Sequence, residues 1–336
     1  GIMRKLATIR NVGEIRPIEG ADAIELAVFG GWQVVVKKAQ EIRPGMPVVY
    51  CEIDSVFPEK PQYEFLRQDK FRLRTKKFRG AVSQGIVFKI DEALPAGEYA
   101  DGDDVTEILG ITLYEPPIPA SIAGEVVGAY PGSVPKTDEE RVQNLDLATF
   151  SGISFFVTEK VDGTSGSFIL DEAGFHVCGR NWEFRETPEQ TFWKLARQYE
   201  IEAKLRACHA RTGSYLALQG EVLGNGIQSN VYALKGQDIF IFNIFDLTRQ
   251  RYLSAMAYRA LLAELSLKGV PVVAERFSMD GLDHAKLLAY AEGKSLLNPQ
   301  AEREGVVFRS VDETPFNQGK ISFKAISNKY LLKHGG

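Results

Sequence analysis

The first third of the chain consists of short β-type segments that no convincing helical pattern interrupts. These segments are rich in β-branched and aromatic residues, are separated by Gly or Pro, and occupy residues 8–12, 23–28, 31–36 and 47–50. Short strands with turn residues between them are typical of small antiparallel sheets that curl into barrels. The pattern therefore predicts an all-β barrel of the OB type over residues 1–110.

A connection rich in Pro and Gly follows, with its densest parts at residues 114–119 and 130–135. Because Pro and Gly disfavour helices and central strands, we predict a linker at 111–135 and a second domain at 136–336. Strand and helix patterns mix irregularly in this second domain. The expected fold class is therefore α+β, an N-terminal OB-like barrel followed by a mixed α+β domain.

Within the second domain, periodicity separates strands from helices. Predicted strands cover residues 154–159, 167–170, 216–222, 239–247, 305–308 and 322–325. Predicted helices cover residues 188–199, 255–267 and 282–292. Thr137 and Glu140 also form a capping-box pattern, which predicts a helix from Thr137 to about Asn144.

Composition excludes membrane and disulfide-rich classes of protein. Hydrophobic residues make up 44% of the 336 residues, and no apolar run approaches the ~20 residues that cross a bilayer. The first residues lack the apolar segment of a secretory signal. Cys51, Cys178 and Cys208 are scattered, without metal spacing or a disulfide framework. We therefore expect a cytoplasmic protein with no membrane contact.

One local cluster of positive charge stands out against the net charge of −4. Residues 70–79 contain no acid and six cations, Lys70, Arg72, Arg74, Lys76, Lys77 and Arg79. Residues 71–74 alternate apolar and basic, which predicts a strand with its charge on one face. A solvated edge strand has the same pattern. Because six cations exceed that need, we predict nucleic-acid contacts by Arg72, Arg74, Lys76, Lys77 and Arg79.

Lys160, Asp162 and Gly163 form a K-x-D-G motif after the apolar segment 153–157. By itself this motif also describes a surface lysine that enters a turn. No phosphate loop of the G-x-x-x-x-G-K-[ST] type, H-E-x-x-H or helix-opening G-x-G-x-x-G competes with it. Residues 163–167 approach a hydrolase nucleophile elbow but end in Ser167 instead of Gly.

Five further segments follow the K-x-D-G motif. They are residues 179–181 (G-R-N), 219–221 (Q-G-E), 242–246 (F-N-I-F-D), 303–308 (R-E-G-V-V-F) and 322–324 (S-F-K). In this order, over about residues 135–332, the set resembles the nucleotidyltransferase motifs of the superfamily of ATP-dependent ligases and mRNA-capping enzymes. Residues 136–144 resemble the start of that domain in RNA ligases. DNA ligases and capping enzymes carry their OB domain after the transferase domain, so the order favours RNA ligase.

The resemblance implies an ATP-dependent RNA ligase whose nucleotidyltransferase domain spans 136–336. Lys160 would attack the α-phosphate of ATP, AMP would pass to a 5′-phosphate, and a neighbouring 3′-OH would displace AMP. The expected partner is an RNA end, in a nicked RNA duplex or an RNA–DNA hybrid. No obligate protein partner is implied, and the expected pathway is RNA repair.

The resemblance also implies roles for individual residues. The catalytic residues would be Lys160, Asp162, Glu304 and Lys324. Asp162 and Glu304 would hold Mg²⁺ or Mn²⁺ through water. The nucleotide-binding residues would be Glu159, Gly163, Arg180, Glu221, Phe242 and Lys320. Among these, Glu159 would accept a hydrogen bond from the adenine amine, Phe242 would stack on the adenine, Glu221 would bind the ribose, and Arg180 would contact the ribose or the RNA 5′-phosphate.

Other interpretations of these residues remain open from the sequence. Phe242 and Phe245 fit core aromatics, Glu221 and Glu304 fit solvated acids at strand ends, and Arg180 fits an ion pair with Glu183. The rival functions are a GTP-using capping transferase, a DNA ligase and a non-catalytic RNA-binding protein.

The last motif departs from the family pattern, which usually has two lysines separated by one residue. Ser322 stands at the first of these places and Lys324 at the second. Lys320 would share their strand face and is the candidate replacement. Because an ordinary lysine is protonated at neutral pH, we also expect Lys324, Lys320 or a metal to lower the pKa of Lys160.

Overall fold

A computed structural model describes residues 4–120 and 122–336. The strands of its first part are β1 (Ala7–Asn11), β2 (Glu14–Pro17), β3 (Ile24–Phe29), β4 (Trp32–Lys37), β5 (Pro47–Cys51), β6 (Ser55–Val56), β7 (Lys76–Phe78), β8 (Ala81–Ser83), β9 (Ile86–Lys89) and β10 (Thr112–Leu113). They form the antiparallel sets β1-β5-β9, β2-β3-β4, β7-β8 and β10-β6. The helices of this part are α1 (Ile90–Ala93) and the 3-10 helices Lys38–Gln40 and Pro61–Asp69.

The four strands predicted at the start of the chain are present as β1, β3, β4 and β5. In β4, Trp32, Val34 and Val36 are buried and alternate with more exposed residues. Successive side chains of a strand point to opposite faces, so this alternation packs one face against the barrel interior. Tyr50 and Phe29 stack in the same core, with ring centroids 5.3 Å apart.

The second part contains two sheets. Its strands are β11 (Val126–Ala129), β12 (Ser154–Lys160), β13 (Thr164–Asp171), β14 (Gly174–Cys178), β15 (Trp182–Phe184), β16 (Leu216–Gly224), β17 (Gln237–Asp246), β18 (Arg251–Tyr252), β19 (Val272–Ser278), β20 (Gly305–Ser310) and β21 (Ser322–Ile326). The larger sheet has the order β11-β15-β14-β13-β16-β17-β18, and the smaller sheet has the order β19-β12-β20-β21.

Helices and 3-10 turns complete this part. The helices are α2 (Thr191–Gln198), α3 (Ile201–Thr212), α4 (Ala255–Leu265), α5 (His284–Ala291) and α6 (Asn328–His334), and the 3-10 helices are Val142–Asn144, Leu147–Phe150 and Asn317–Gly319. The mixed α+β class predicted from the sequence is therefore confirmed. The sequence did not indicate α3, α6 or β19. In the described ranges, no helix is long and apolar enough to cross a membrane.

The strand β12 carries the K-x-D-G lysine because its two faces differ. Phe155 and Val157 point into an aromatic core that also contains Phe308 and Phe323, whose rings lie 5.3 Å apart. The opposite face of β12 carries Phe156, which packs in the core of the larger sheet. Side-chain alternation therefore directs Lys160, four residues after Phe156, into the space between the two sheets.

The helix predicted from Thr137 to Asn144 is wrong. Residues 136–140 are extended, and only Val142–Asn144 forms a 3-10 turn. The backbone N–H of Lys324 donates to the carbonyl of Glu140, and Arg141 forms a parallel bridge with Lys324. Pairing with the edge of β21 satisfies backbone groups that a helix would otherwise bond internally. Tertiary pairing thus outweighs the local capping signal.

The strand predicted at 71–74 is also wrong. Lys70 and Phe71 adopt φ angles of 54° and 63°, a left-handed conformation that no regular strand contains. Only Arg72 forms an isolated bridge, with Val56, and the nearest strand is β7. Within the predicted linker, β10 pairs with β6 and β11 pairs with β15. The domain limits at 110 and 136 remain our proposal.

Candidate active site

A cleft of about 460 Å³ lies between the two sheets of the second part. Lys160 at the end of β12 lines it, together with Asp162 in the following turn, Glu221 on β16, Glu304 just before β20 and Lys324 on β21. These residues are as much as 164 positions apart in the sequence, and the two sheets bring them to one place. The structure thus groups all four predicted catalytic residues.

Gly163 explains how the turn after Lys160 fits beside β16. A Cβ atom at this position would lie 2.2 Å from the carbonyl oxygen of Val222 and 2.5 Å from Leu223, which no side chain tolerates. The backbone N–H of Gly163 donates to Glu221 Oε2 at 3.3 Å. The glycine of K-x-D-G therefore permits a close approach of the nucleophile turn to the strand that carries Glu221.

Lys160 is surrounded by negative charge. Its Nζ lies 3.5 Å from Glu304 Oε1, and its side chain is 26% exposed. Burial alone would lower the pKa of Lys160, but Glu304, Glu221 and Asp162 together raise it. In the protein alone Lys160 is therefore an ammonium. The expectation that neighbouring cations lower its pKa is wrong for this state.

The three carboxylates differ in their hydrogen bonds. Asp162 Oδ2 accepts from the hydroxyl of Tyr330 at 2.6 Å. Burial raises the pKa of Glu221 to about 7, although Lys160 opposes the shift. Burial also raises the pKa of Glu304, whose Oε2 is buried without a hydrogen-bond partner among the described residues. Glu221 and Glu304 are therefore half-buried acids of the cleft and not solvated strand-end acids.

Lys324 lies on the positive side of the cleft. Burial, Arg141 and Lys160 together lower its pKa to about 7. Arg141, which is 5% exposed, contacts Asp54 at 3.4 Å, and Asp54 also pairs with Arg72 at 2.9 Å. The first part of the chain therefore contributes an acid to the wall of the cleft. The sequence analysis missed both Asp54 and Arg141.

The predicted nucleotide-binding residues have different surroundings. Phe242 lines the cleft, whereas Phe245 is fully buried in the core. Arg180 also lines the cleft and pairs with Asp138 at 3.0 Å, not with Glu183. The Nζ of Lys320 lies 2.5 Å from the hydroxyl oxygen of Ser322, although Lys320 itself precedes β21.

Glu159 does not have the surroundings expected for adenine recognition. Glu159 is 1% exposed. Its two carboxylate oxygens accept hydrogen bonds from the hydroxyl of Ser295 and the backbone N–H of Leu296, both at 2.7 Å. Neighbouring strand residues point to opposite faces, so Glu159 is directed away from the side of β12 that carries Lys160. Each Glu159 oxygen keeps a second lone pair, and Glu159 also lines the cleft, so its bond to the adenine amine stays a prediction.

The basic cluster divides into buried and exposed members. Arg72 pairs with Asp54, and its guanidinium lies 3.7 Å from the ring centre of Tyr114. Arg74 is half-buried, and Lys76 pairs with Asp69 at 2.5 Å. Lys77 and Arg79 are exposed on the β7–β8 hairpin, without a polar partner in the described part of the chain. A single basic face over residues 72–79 is therefore wrong, because Arg72 turns inward.

Comparisons with known proteins agree with this architecture. Residues 153–326 match the RNA ligase family, and residues 6–90 match an OB-fold domain family. The chain belongs to the RNA ligase family. The N-terminal OB fold predicted from the strand pattern is confirmed. Among curated proteins, none matches the sequence significantly.

Solved structures of RNA ligase from Naegleria gruberi are similar over the whole chain. A ligand-free variant has a TM-score of 0.91 and 40% identity, covering 99% of this chain and 98% of that one. A variant with AMP and Mn has a TM-score of 0.91 and 40% identity, covering 99% of both chains. A variant with ATP and Mn has a TM-score of 0.89 and 40% identity, covering 98% of this chain and 99% of that one.

Proposed function

We propose that this RNA ligase uses ATP to seal 3′-OH and 5′-phosphate RNA ends at nicks in duplexes, through a Lys160–AMP intermediate. The observation that carries the proposal is the position of Lys160, whose ammonium lies beside Glu304 in a cleft that also contains Lys324. Similarity to Naegleria gruberi RNA ligase structures that contain ATP and Mn supports the choice of nucleotide.

The reaction would proceed by three displacements at phosphorus. The neutral amine of Lys160 attacks the α-phosphorus of ATP, a nitrogen–phosphorus bond forms, and pyrophosphate leaves. An oxygen of the RNA 5′-phosphate then attacks the AMP phosphorus and releases Lys160. Finally the 3′-OH attacks the activated 5′-phosphorus, and AMP leaves. Negative charge develops on phosphate oxygens in each step, so positioned cations such as Lys324 stabilise the transition states.

The carboxylates of the cleft fit a divalent metal held through water. Oxygen ligands suit Mg²⁺ and Mn²⁺, and Glu304 Oε2 is a buried acceptor with an unused bonding site. Over residues 4–120 and 122–336, no three acidic, His or Cys side chains form a direct metal cluster. Asp162 and Glu304 would therefore hold the ion through water. Its charge would offset the carboxylates that now keep Lys160 protonated.

The remaining cleft residues supply binding groups for the nucleotide. Phe242 offers an aromatic face for the adenine, and Glu221 offers a carboxylate to the ribose hydroxyls. Arg180 lies at the rim with Asp138 and is placed to meet either the ribose or an incoming 5′-phosphate. Phe242 would stack on the adenine, while Glu159, which lines the cleft and bonds Ser295 and Leu296, retains acceptor sites for the adenine amine.

The exposed side of the OB domain would bind the duplex. Lys77 and Arg79 present free cations on a hairpin, and cationic contacts to phosphates give affinity without choice of sequence. Duplex RNA and RNA–DNA hybrids are recognised mainly by shape and by 2′-OH contacts. A sealing enzyme of RNA repair needs this sequence-independent binding. The cytoplasm is its proposed location, because the free Cys51, Cys178 and Cys208 fit a reducing compartment.

Two experiments test the proposed function. Incubation with α-labelled ATP should label the protein, whereas α-labelled GTP should not, and labelling by GTP alone would overturn the choice of nucleotide. A panel of nicked duplexes with RNA or DNA on each side of the nick should then be sealed only when the 3′-OH strand ends in RNA. Sealing of all-DNA nicks at the same rate would instead identify a DNA ligase.

A further inference from the structure

We propose that Arg309 and Lys320 form a second phosphate-binding subsite in the cleft, beside the one that contains Lys160 and Lys324. The proposal rests on the proposed function, because it assumes that phosphorylated substrates enter this cleft. Both residues line the cleft, and the reaction described above uses neither of them.

Arg309 is a buried cation with unused hydrogen-bond donors. It lies on β20, is 5% exposed, and donates through Nη2 to the carbonyl of Leu253. Its Nε and Nη1 have no partner among the described residues, and no carboxylate forms an ion pair with it there. A buried guanidinium without an anion is costly, so donors left free at a cleft wall indicate a site that an anion completes.

Lys320 adds a second charge to the same wall. It is 8% exposed, with its Nζ 2.5 Å from Ser322 Oγ and 3.3 Å from Glu139 Oε1. The Ser322 hydroxyl donates to Glu139 Oε2 at 2.7 Å. Among the described residues, Glu139 is the acid that bonds this group, so one carboxylate faces two cations.

The strand register places this pair one step from Lys324. Arg309 pairs with Ser322 across β20 and β21, and Val307 pairs with Lys324. Residues two apart on a strand share a face and lie about 7 Å apart, so the subsite follows Lys324 along the same cleft face. That spacing suits a second phosphate group of a substrate whose first phosphate lies at Lys324.

Phosphate is the ligand chemistry that this pair fits. A guanidinium with two free N–H groups and an adjacent ammonium bind phosphate oxygens through charge-assisted hydrogen bonds. The phosphate belongs either to the tail of ATP or to the nicked strand at its 5′ end. The ammonium of Lys320 would thus supply the positive charge that a lysine usually provides at the place of Ser322.

A purely structural role makes a different prediction. Arg309 holds the carbonyl of Leu253, and Lys320 lies 4.4 Å from the ring centre of Tyr252, so both also fasten the loop around β18. Loss of these contacts with Leu253 and Tyr252 would lower the stability of the folded protein and would affect every step of the reaction equally. Loss of a phosphate contact would affect only the step in which that phosphate binds.

The test compares two steps in the full-length protein. Lys320→Met and Arg309→Met remove charge but keep an apolar stem, Lys320→Arg keeps the charge, and Lys329→Met is a control at a lysine that is 64% exposed. One arm measures formation of Lys160–AMP against ATP concentration. The other measures sealing of a nick that already carries AMP on its 5′-phosphate, against nick concentration. Thermal unfolding is recorded for each variant.

We expect kcat/KM of Lys320→Met and Arg309→Met to fall about 10- to 100-fold in one arm and by less than about twofold in the other. A loss confined to the ATP arm assigns the subsite to the ATP tail, and a loss confined to the nick arm assigns it to the nicked strand. Lys329→Met should retain wild-type values, and Lys320→Arg should lose less than Lys320→Met because it keeps the charge. Unchanged values in both arms, or equal losses in both with a lower unfolding temperature, would overturn the proposal. Labelling of wild type by ATP tests the proposed function independently.

Discussion

The ammonium of Lys160 lies 3.5 Å from Glu304 Oε1, while the other oxygen of Glu304 has no partner in the described residues. The same carboxylate therefore keeps the nucleophile protonated and retains an acceptor for a further ligand. A cation that bound this acceptor would withdraw the negative charge that raises the pKa of Lys160. The proposed role of Lys160 as a nucleophile therefore requires that a bound cation offset the charge of Glu304.

Replacement of Lys160 by Met should reduce self-adenylylation by more than about a thousandfold, because it removes the amine on which the proposed covalent intermediate forms. The variant should still fold, because the lysine lies at the end of β12 and its aromatic core is on the opposite face. Gel detection of labelled AMP and a thermal unfolding curve measure the two parts. Lys329→Met serves as the control and should label like wild type. Persistent labelling of Lys160→Met would assign the nucleophile to another residue.

The raised pKa of Glu221 predicts a stability that depends on pH. Burial moves this pKa from 4.5 to about 7, so the unfolded chain loses the proton first as pH rises. The free-energy cost of burying the ionised Glu221 carboxylate is absent below pH 4.5. It grows between pH 4.5 and 7 and reaches its full value above pH 7. Glu221→Gln should therefore stabilise the nucleotide-free protein at pH 8, by on the order of 3 kcal/mol, while adenylylation is lost.

Unfolding of wild type and Glu221→Gln at pH 5 and pH 8 tests this sign. The matched control is Glu302→Gln, because Glu302 is paired with Lys294, which lowers its pKa. Loss of the Glu302–Lys294 ion pair should slightly destabilise the protein at pH 8, by no more than about 1 kcal/mol. A Glu221→Gln variant that is less stable than wild type at pH 8 would contradict the raised pKa.

Much of the site could be predicted because its chemistry is recorded in local sequence. Gly163 must follow Lys160 and Asp162 closely, since a Cβ atom at 163 would lie only 2.2 Å from the carbonyl oxygen of Val222. Short β-rich segments likewise indicated the OB domain. The role of Glu159 stays a prediction, because its carboxylate bonds Ser295 and Leu296 while the residue also lines the cleft.

Other features depend on contacts that no local pattern records. The guanidinium of Arg141 bonds the carboxylate of Asp54, which lies 87 positions earlier in the sequence. Arg72 points inward because it pairs with the same carboxylate. The capping box at Thr137 is a valid local signal, yet the segment pairs with β21 instead of closing a helix. Long-range pairing of this kind is decided by tertiary structure and not by propensity.

Removal of Lys77 and Arg79 together should impair sealing of nicks much more than self-adenylylation. Both lie on an exposed hairpin outside the cleft, so the double Ala variant loses phosphate contacts but keeps the nucleotide site. The slope of log affinity for a nicked duplex against log salt should become shallower by about 1.5. The control is the double Ala variant of Lys37 and Lys38, which are also exposed on the OB domain. Equal loss of sealing in both double variants would indicate a general charge effect.

Asn144 bonds three residues of the OB domain, so a negative charge introduced at this position should weaken that attachment. Its Oδ1 accepts from Arg10 at 2.7 Å and from Trp32 at 2.8 Å, and its Nδ2 donates to Glu52 at 3.2 Å. Asn144→Asp would place a second carboxylate beside Glu52, which is 2% exposed and whose pKa burial already raises. The added charge keeps acceptors for Arg10 and Trp32 but replaces the donor to Glu52, and to Glu140 at 3.0 Å, with repulsion. The Asp variant should therefore lose about 2 to 4 kcal/mol of stability at pH 8 and recover part of it at pH 5, where a carboxyl becomes protonated.

Asn144→Ala, which removes the bonds without adding charge, should show no such recovery. Denaturant unfolding at the two pH values measures both variants, and a loss in Asn144→Asp that is independent of pH would refute the role assigned to Glu52.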